Sequence, residues 1–105
     1  AAAPDGESRY RLDVALDDEI TGRGIRSDVA ITRERRTLRA RWQLVDTQAD
    51  ITLIDTTSRS DAGIDVVSSQ YAVVAAESEA LDRLSREIAD QIVARISTYA
   101  LAEAR

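Results

Sequence analysis

The last third of the chain, Tyr71 to Leu101, holds neither Gly nor Pro, and its apolar residues recur in steps of three and four: Leu81, Leu84, Ile88, Ile92, Ile96 and Tyr99. That spacing draws a single stripe along an α-helix. The other faces carry Glu79, Asp82, Arg83, Arg86, Glu87, Asp90 and Arg95. Glu79 with Arg83, and Asp82 with Arg86, are i,i+4 pairs in the favourable order. Ser68 or Ser69 supplies an N-cap. A helix with so narrow a stripe needs a surface to lie on, and only the sequence before it can provide one.

That sequence reads as strands. Tyr10, Leu12, Val14 and Leu16 alternate with Arg11, Asp13, Ala15 and Asp17, a period of two that marks a half-buried strand. A second extended run has Ile25, Val29 and Ile31 as its apolar set. The parity changes from even to odd between the two runs, so a bend is expected at Gly22-Arg23-Gly24. Arg33-Glu34-Arg35-Arg36 looks like a hairpin tip. Leu38, Ala40, Trp42 and Leu44 then alternate with Thr37, Arg39, Arg41 and Gln43, which places Trp42 in the core. Asp46 to Asp50 reads as a turn. Ile51, Leu53 and Ile54 open a third strand that fades through Asp55 to Ser60, with a turn or bulge at Asp61-Ala62-Gly63 and a short extended piece from Ile64 to Val67. Ala1 to Ser8 reads as a tail, leaving 9–105 as one domain. The expected fold is α+β: an antiparallel or mixed sheet of three or more long strands with one long C-terminal helix packed on one face. Such a sheet leaves a long edge strand bare, so a partner, a missing part of the domain or a second copy paired through that edge is expected to cover it.

Composition narrows the chemistry. The chain has no Cys and no His, which removes thiolate and imidazole metal ligands and the usual general base. All 14 basic residues are Arg. A Ser nucleophile therefore has no Lys to activate it. Paired carboxylates remain: Asp17, Asp18 and Glu19 in a run, and Asp46 with Asp50 around a turn. Neighbouring strand residues point to opposite faces, and acidic turn residues are ordinarily solvated. No metal site and no cofactor are expected. The chain opens on Ala-Ala-Ala-Pro without Met and suggests a processed or trimmed product; its sequence carries no signal peptide and no transmembrane run.

The charged cluster says more. Arg33, Arg35, Arg36, Arg39 and Arg41 fall within nine residues, opposed only by Glu34. Arg39 and Arg41 share the outward face of the Trp42 strand. Two readings stand: a site for a phosphorylated or otherwise anionic surface, which guanidinium groups grip bidentately, or a solvated sheet face paired with nearby acids such as Asp28. The net charge of −5 and the lack of aromatics among these arginines argue against nucleic acid.

From Tyr10 onward the chain resembles the lipopolysaccharide-assembly lipoprotein family, LptE or RlpB, in its alphaproteobacterial form. The resemblance is carried by Tyr-Arg-Leu-Asp-Val-Ala-Leu at 10–16, Gly-Ile-Arg-Ser-Asp at 24–28, Ile-Thr-Arg at 31–33 and Leu-Arg-Ala-Arg-Trp-Gln-Leu-Val-Asp at 38–46. Ser-Gln-Tyr-Ala at 69–72 continues it through Ala76-Glu77, Ala80, Ala89-Asp90, Ile92 and Arg95. It implies a sheet of four or more strands with two helices on one face, a first strand and helix not found in this sequence, and a lipidated N-terminal Cys also not found here. It implies a non-enzymatic protein on the periplasmic face of the outer membrane that plugs a β-barrel translocon and helps deliver lipopolysaccharide. On that reading Arg33, Arg35, Arg36, Arg39 and Arg41 are the candidate lipopolysaccharide-phosphate ligands, chosen by local charge. The competing readings are an auxiliary lipoprotein of another lipid-trafficking transporter and a small carboxylate hydrolase.

Overall fold

The computed structural model describes residues 8–23, 33–65 and 69–104. Three strands, β1 (Tyr10–Arg23), β2 (Arg33–Asp46) and β3 (Ile51–Asp65), are followed by one helix, α1 (Gln70–Glu103). The strands form an antiparallel sheet in the order β1-β2-β3. A strand of 15 residues spans about 50 Å, and a helix of 34 residues about 51 Å. The two layers therefore match in length, and the helix can bury its stripe from end to end.

The register shows how the alternation is used. Val14 faces Trp42, Leu12 faces Leu44 and Leu16 faces Ala40 across the first ladder; Trp42 faces Thr56 and Leu44 faces Ile54 across the second. Opposed residues share a face, so the even-numbered residues of β1 and β2 lie on the helix side and the odd-numbered ones on the outer side. Leu38, Ala40, Trp42 and Leu44 are buried with Ile54, Ala62 and Ile64 of β3 and Ala80, Leu84, Ile88 and Ile92 of α1. Trp42 and Leu84 are the largest fully buried side chains, and Trp42 Nε1 donates to Ser58 Oγ at 3.0 Å. At the N-terminal end of the helix the contact falls on Ala80, with Leu81 only partly buried beside it. A methyl side chain there lets the helix backbone come close to the sheet.

α1 begins at Ser69, whose Oγ accepts from Ala72 N at 3.2 Å. Its backbone lies over β2 and β3 and makes no close approach to that of β1. Among the described residues three side-chain hydrogen bonds tie it down: Arg36 Nη1 donates to Glu77 O, Ser60 Oγ bonds Glu87, and Gln91 Nε2 donates to Arg59 O.

The strands differ from expectation in three places. Arg33 to Arg36 is not a hairpin tip; these residues are the first four of β2 and pair on both sides, Arg33 with Arg23 and with Asp65. Asp61-Ala62-Gly63 is not a turn but part of a β3 that runs unbroken to Asp65. The register irregularity lies between Leu44 and Val45: Leu44 pairs with Ile54 and Val45 with Thr52, which leaves Leu53 as the extra residue. This bulge lets Leu53 and Ile54 both turn toward the core. The proposed run through Ile25, Val29 and Ile31, the residues Gly24, Asp28, Val66, Val67 and Ser68, and the tail through Glu7 lie outside the described residues. The turn at Asp46 to Asp50 is present, closed by Asp50 at φ 57°. Asp tolerates this left-handed conformation better than most residues.

Candidate functional site

Four of the five candidate arginines share one surface. Arg33, Arg35, Arg39 and Arg41 occupy alternate positions on the outer side of β2, so they stand in a column along the middle of the three-stranded sheet. Carboxylates flank the column on both neighbours. Arg33 Nη1 lies 3.8 Å from Asp65, Arg35 Nη1 3.0 Å from Asp61, and Arg41 Nη2 3.1 Å from Asp55. Arg39 Nη1 is shared between Asp17 at 3.5 Å and Glu19 at 3.8 Å on β1. Arg59 on β3 joins through Asp61. Gly63 leaves space beside the column, since a Cβ there would sit 2.8 Å from Arg33 Nη2. Thr37, between Arg35 and Arg39, is buried, as the long stems on either side of it account for.

These pairs are solvent-exposed. Arg33 and Arg41 side chains are 62% and 67% accessible, so their ion pairs are screened and worth little to stability. Arg41, and then Gln43, donate to Asp55 and hold its carboxyl below the usual range. Chemically the face is a grid of alternating charge in which each guanidinium keeps open donors toward solvent.

Arg36 stands apart. It has even parity and sits on the helix side, 13% exposed. Its Nε and Nη2 fork onto both oxygens of Asp18 at 2.9 and 2.5 Å, and Nη1 reaches Glu77 O at 2.8 Å. Arg36 thus clamps β1, β2 and α1 together. Beside it Glu34 meets Glu77. A hydrogen bond between the two carboxyls, then burial, then their mutual charge raise the Glu34 pKa above its ordinary 4.5. Glu34 Oε1 is buried with no hydrogen-bond partner among the described residues.

A pH prediction follows. Because the folded protein holds this proton more tightly than the unfolded chain, the resulting stability is complete below pH 4.5 and is lost as pH rises through the elevated folded value. Glu34→Gln keeps a neutral side chain at every pH. Its melting temperature should therefore exceed that of the wild type near neutrality, with the difference closing toward pH 4.5, in paired thermal melts across this range. Equal curves at all pH values would contradict the Glu34–Glu77 contact.

The other end of the sheet has a feature that the sequence pattern did not reveal. Arg9, Tyr10, Leu44, Asp46, Leu53, Ile96, Tyr99 and Glu103 line an open groove of about 700 Å³ between the start of β1 and the end of α1. Asp46 is its polar anchor. It accepts from Arg9 at 3.1 Å and from the backbone N–H of Gln48 and Ala49, and these bonds hold its carboxyl below the usual range, the Arg9 bond most of all. Of the carboxylates considered for catalysis, Asp46 is thus occupied in shaping the turn. Asp17 and Glu19 face outward toward Arg39, while Asp18 faces the helix side and Arg36. The acids of that run are split between two faces, as strand geometry requires.

Among the described residues no helix is long and apolar enough to cross a membrane. A family model, LptE, described as lipopolysaccharide-assembly, matches residues 3–96. No curated protein matches the chain. A crystal structure of a candidate lipoprotein from Caulobacter crescentus CB15 is similar, with a TM-score of 0.72 at 19% sequence identity, covering 96% of this chain and 74% of that one. At that identity the likeness establishes a shared fold.

Proposed function

The chain belongs to the LptE lipopolysaccharide-assembly family, and from that premise we propose that it is a non-enzymatic assembly component that seats in and supports an outer-membrane β-barrel translocon while binding lipopolysaccharide on its arginine face. The family match over residues 3–96 carries this reading. On this reading the protein works at the periplasmic face of the outer membrane, where the family resemblance implies anchoring through a lipidated Cys.

The proposed ligand face is the outer column of Arg33, Arg35, Arg39 and Arg41. Lipid A phosphates are compact anions suited to forked donors. Each arginine already has a carboxylate neighbour, so a phosphate binds by exchange: it takes over one edge of a guanidinium while the carboxylate turns to water. Both states keep the cation paired, and the exchange between exposed partners is cheap. Arg36, forked onto Asp18 and bonded to the helix, is assigned to holding the fold and not to the lipid.

Capture from detergent-solubilised Gram-negative envelopes tests the partner. The expected result is an outer-membrane β-barrel protein retained together with lipopolysaccharide. Retention of an inner-membrane transporter in its place would overturn this proposal and support the auxiliary-lipoprotein reading.

A further inference from the structure

We infer that Arg39 and Arg59, directly opposed on the outer face of β2 and β3, form a two-armed seat for one phosphate monoester. The inference rests on the reading of this face as the lipopolysaccharide site and deepens it. It adds Arg59, which lies outside the arginine run of β2, and it names the phosphate chemistry that the face selects.

The register brings the two together. Arg39 is the direct partner of Arg59 across the β2–β3 ladder, so their side chains share a face, with Cα atoms about 4.5–5.5 Å apart. Among the described residues this is the one Arg–Arg pair across that ladder. Like charges directly opposed destabilise a strand pair, and here the acids lie to either side. Arg39 turns to Asp17 at 3.5 Å and Glu19 at 3.8 Å, both on β1. Arg59 turns along its own strand to Asp61 at 3.2 Å, and Asp61 also accepts from Arg35 at 3.0 Å. Among the described residues no carboxylate bonds to both Arg39 and Arg59. Their side chains are 38% and 56% accessible, so a ligand can reach each of them.

A phosphate monoester matches this pair of cations. At neutral pH it carries a charge of roughly −1.5 to −2 on three terminal oxygens. Each guanidinium can fork onto two of those oxygens, with one oxygen shared. A phosphodiester or a carboxylate brings a single charge and too few free oxygens to fill both forks. The adjacent row sets Arg41 against Thr57, whose exposed hydroxyl adds a donor at the rim. The seat can be altered without unfolding the sheet. The Arg59–Asp61 pair is exposed and contributes little to stability, and Gln91 bonds the Arg59 carbonyl, which a change of side chain leaves in place.

The test uses phosphatidylcholine vesicles containing either phosphatidic acid, a phosphate monoester, or phosphatidylglycerol, a diester, matched for total negative charge. In flotation at neutral pH the wild type should bind the monoester vesicles at least about tenfold more tightly. Arg39→Gln and Arg59→Gln should each abolish that preference, and the double variant should lose less than the two single losses combined, as two arms on one phosphate require. Arg59→Lys keeps the charge without the fork and should not restore it. Arg83→Gln, at an exposed position of α1, should leave it intact, with circular dichroism confirming that all variants fold. No binding to the monoester vesicles, equal binding to both kinds, or a wild-type preference in Arg59→Gln would each overturn the inference. Inorganic phosphate separates the sources of this chemistry. At a concentration equal to the accessible headgroup it should leave the protein on the vesicles; displacement there would overturn the lipid headgroup in favour of the free ion. The seat also fails separately from the face. Lipopolysaccharide binding lost when Arg33, Arg35, Arg39 and Arg41 all become Gln, yet kept in Arg59→Gln, would remove the seat and leave the arginine face standing.

Discussion

Replacing Trp42 with Ala should cost about 3–5 kcal/mol of folding stability, the range for deleting a buried aromatic side chain. Trp42 is 1% exposed, lies mid-strand in the central strand, and belongs to the cluster that joins β2 and β3 to α1. The truncation removes the contacts that fix the helix and leaves Ser58 Oγ without its indole donor. For a domain near this size, at roughly 4–8 °C per kcal/mol, the melting temperature should fall by more than about 12 °C. Against a total stability of about 5–15 kcal/mol, this brings a chain of 105 residues close to unfolding. Denaturant titration followed by far-UV circular dichroism measures the loss. Trp42→Phe should cost less, since it keeps most of the apolar area and gives up mainly the Nε1 bond. A Trp42→Ala loss below about 1 kcal/mol would contradict the packed interface between sheet and helix.

The second large effect is expected at Arg36. Arg36→Ala removes a fork onto Asp18 and the donor to Glu77 O at once. Charged hydrogen bonds contribute about 1.5–3 kcal/mol each. Asp18 is 36% exposed, so it can recover water when its partner goes. The expected loss is therefore about 2 kcal/mol, below the 3–5 of a fully buried pair. It should also depend on pH. The Arg36 bond lowers the Asp18 pKa below its ordinary 3.8. Stability from such a depressed carboxyl is present above the unfolded value and is lost as pH falls through the folded one. The gap between wild type and Arg36→Ala should therefore be full at neutrality and narrow below pH 3.8. Trp42 is the only Trp in the chain, so its fluorescence can follow both unfolding curves. A penalty that did not narrow at all as the pH fell below 3.8 would remove Asp18 as the partner.

The contrast between Arg36 and the other arginines shows what the sequence could and could not reveal. Period-two alternation around Trp42 and the i,i+4 stripe through Leu84, Ile88 and Ile92 are local signals, and they placed the core strand and the helix, with the cap narrowed to Ser68 or Ser69. The bulge at Leu53 was not foreseen, because Ile51, Leu53 and Ile54 read as the plain opening of a strand and the irregularity was expected at Asp61-Ala62-Gly63. The run Arg33-Glu34-Arg35-Arg36 resembled a solvated tip because four consecutive charged residues have no local reason to enter a sheet. The reason is non-local: Asp65 and Asp61 arrive from β3 and Asp18 from β1. Cross-strand acids make the run compatible with a central strand, and only the register brings them there. Parity alone separates Arg36 from Arg33, Arg35, Arg39 and Arg41, and it becomes readable once the strand is known to be continuous. The groove at Arg9, Tyr10 and Tyr99 joins the two ends of the described chain, which no local pattern can reveal.

Lipopolysaccharide binding by the exposed arginine column is open to direct test. The direct measurement is the affinity of the wild type and of the Arg33→Gln/Arg35→Gln/Arg39→Gln/Arg41→Gln variant for purified lipopolysaccharide, titrated at several salt concentrations, with melting temperatures in parallel. The variant should bind at least about tenfold more weakly while its melting temperature stays close to that of the wild type, because exposed pairs contribute little to folding. The wild-type affinity should fall as salt rises. Unchanged affinity in a folded variant, or wild-type binding indifferent to salt, would contradict the assignment of this face to the lipid.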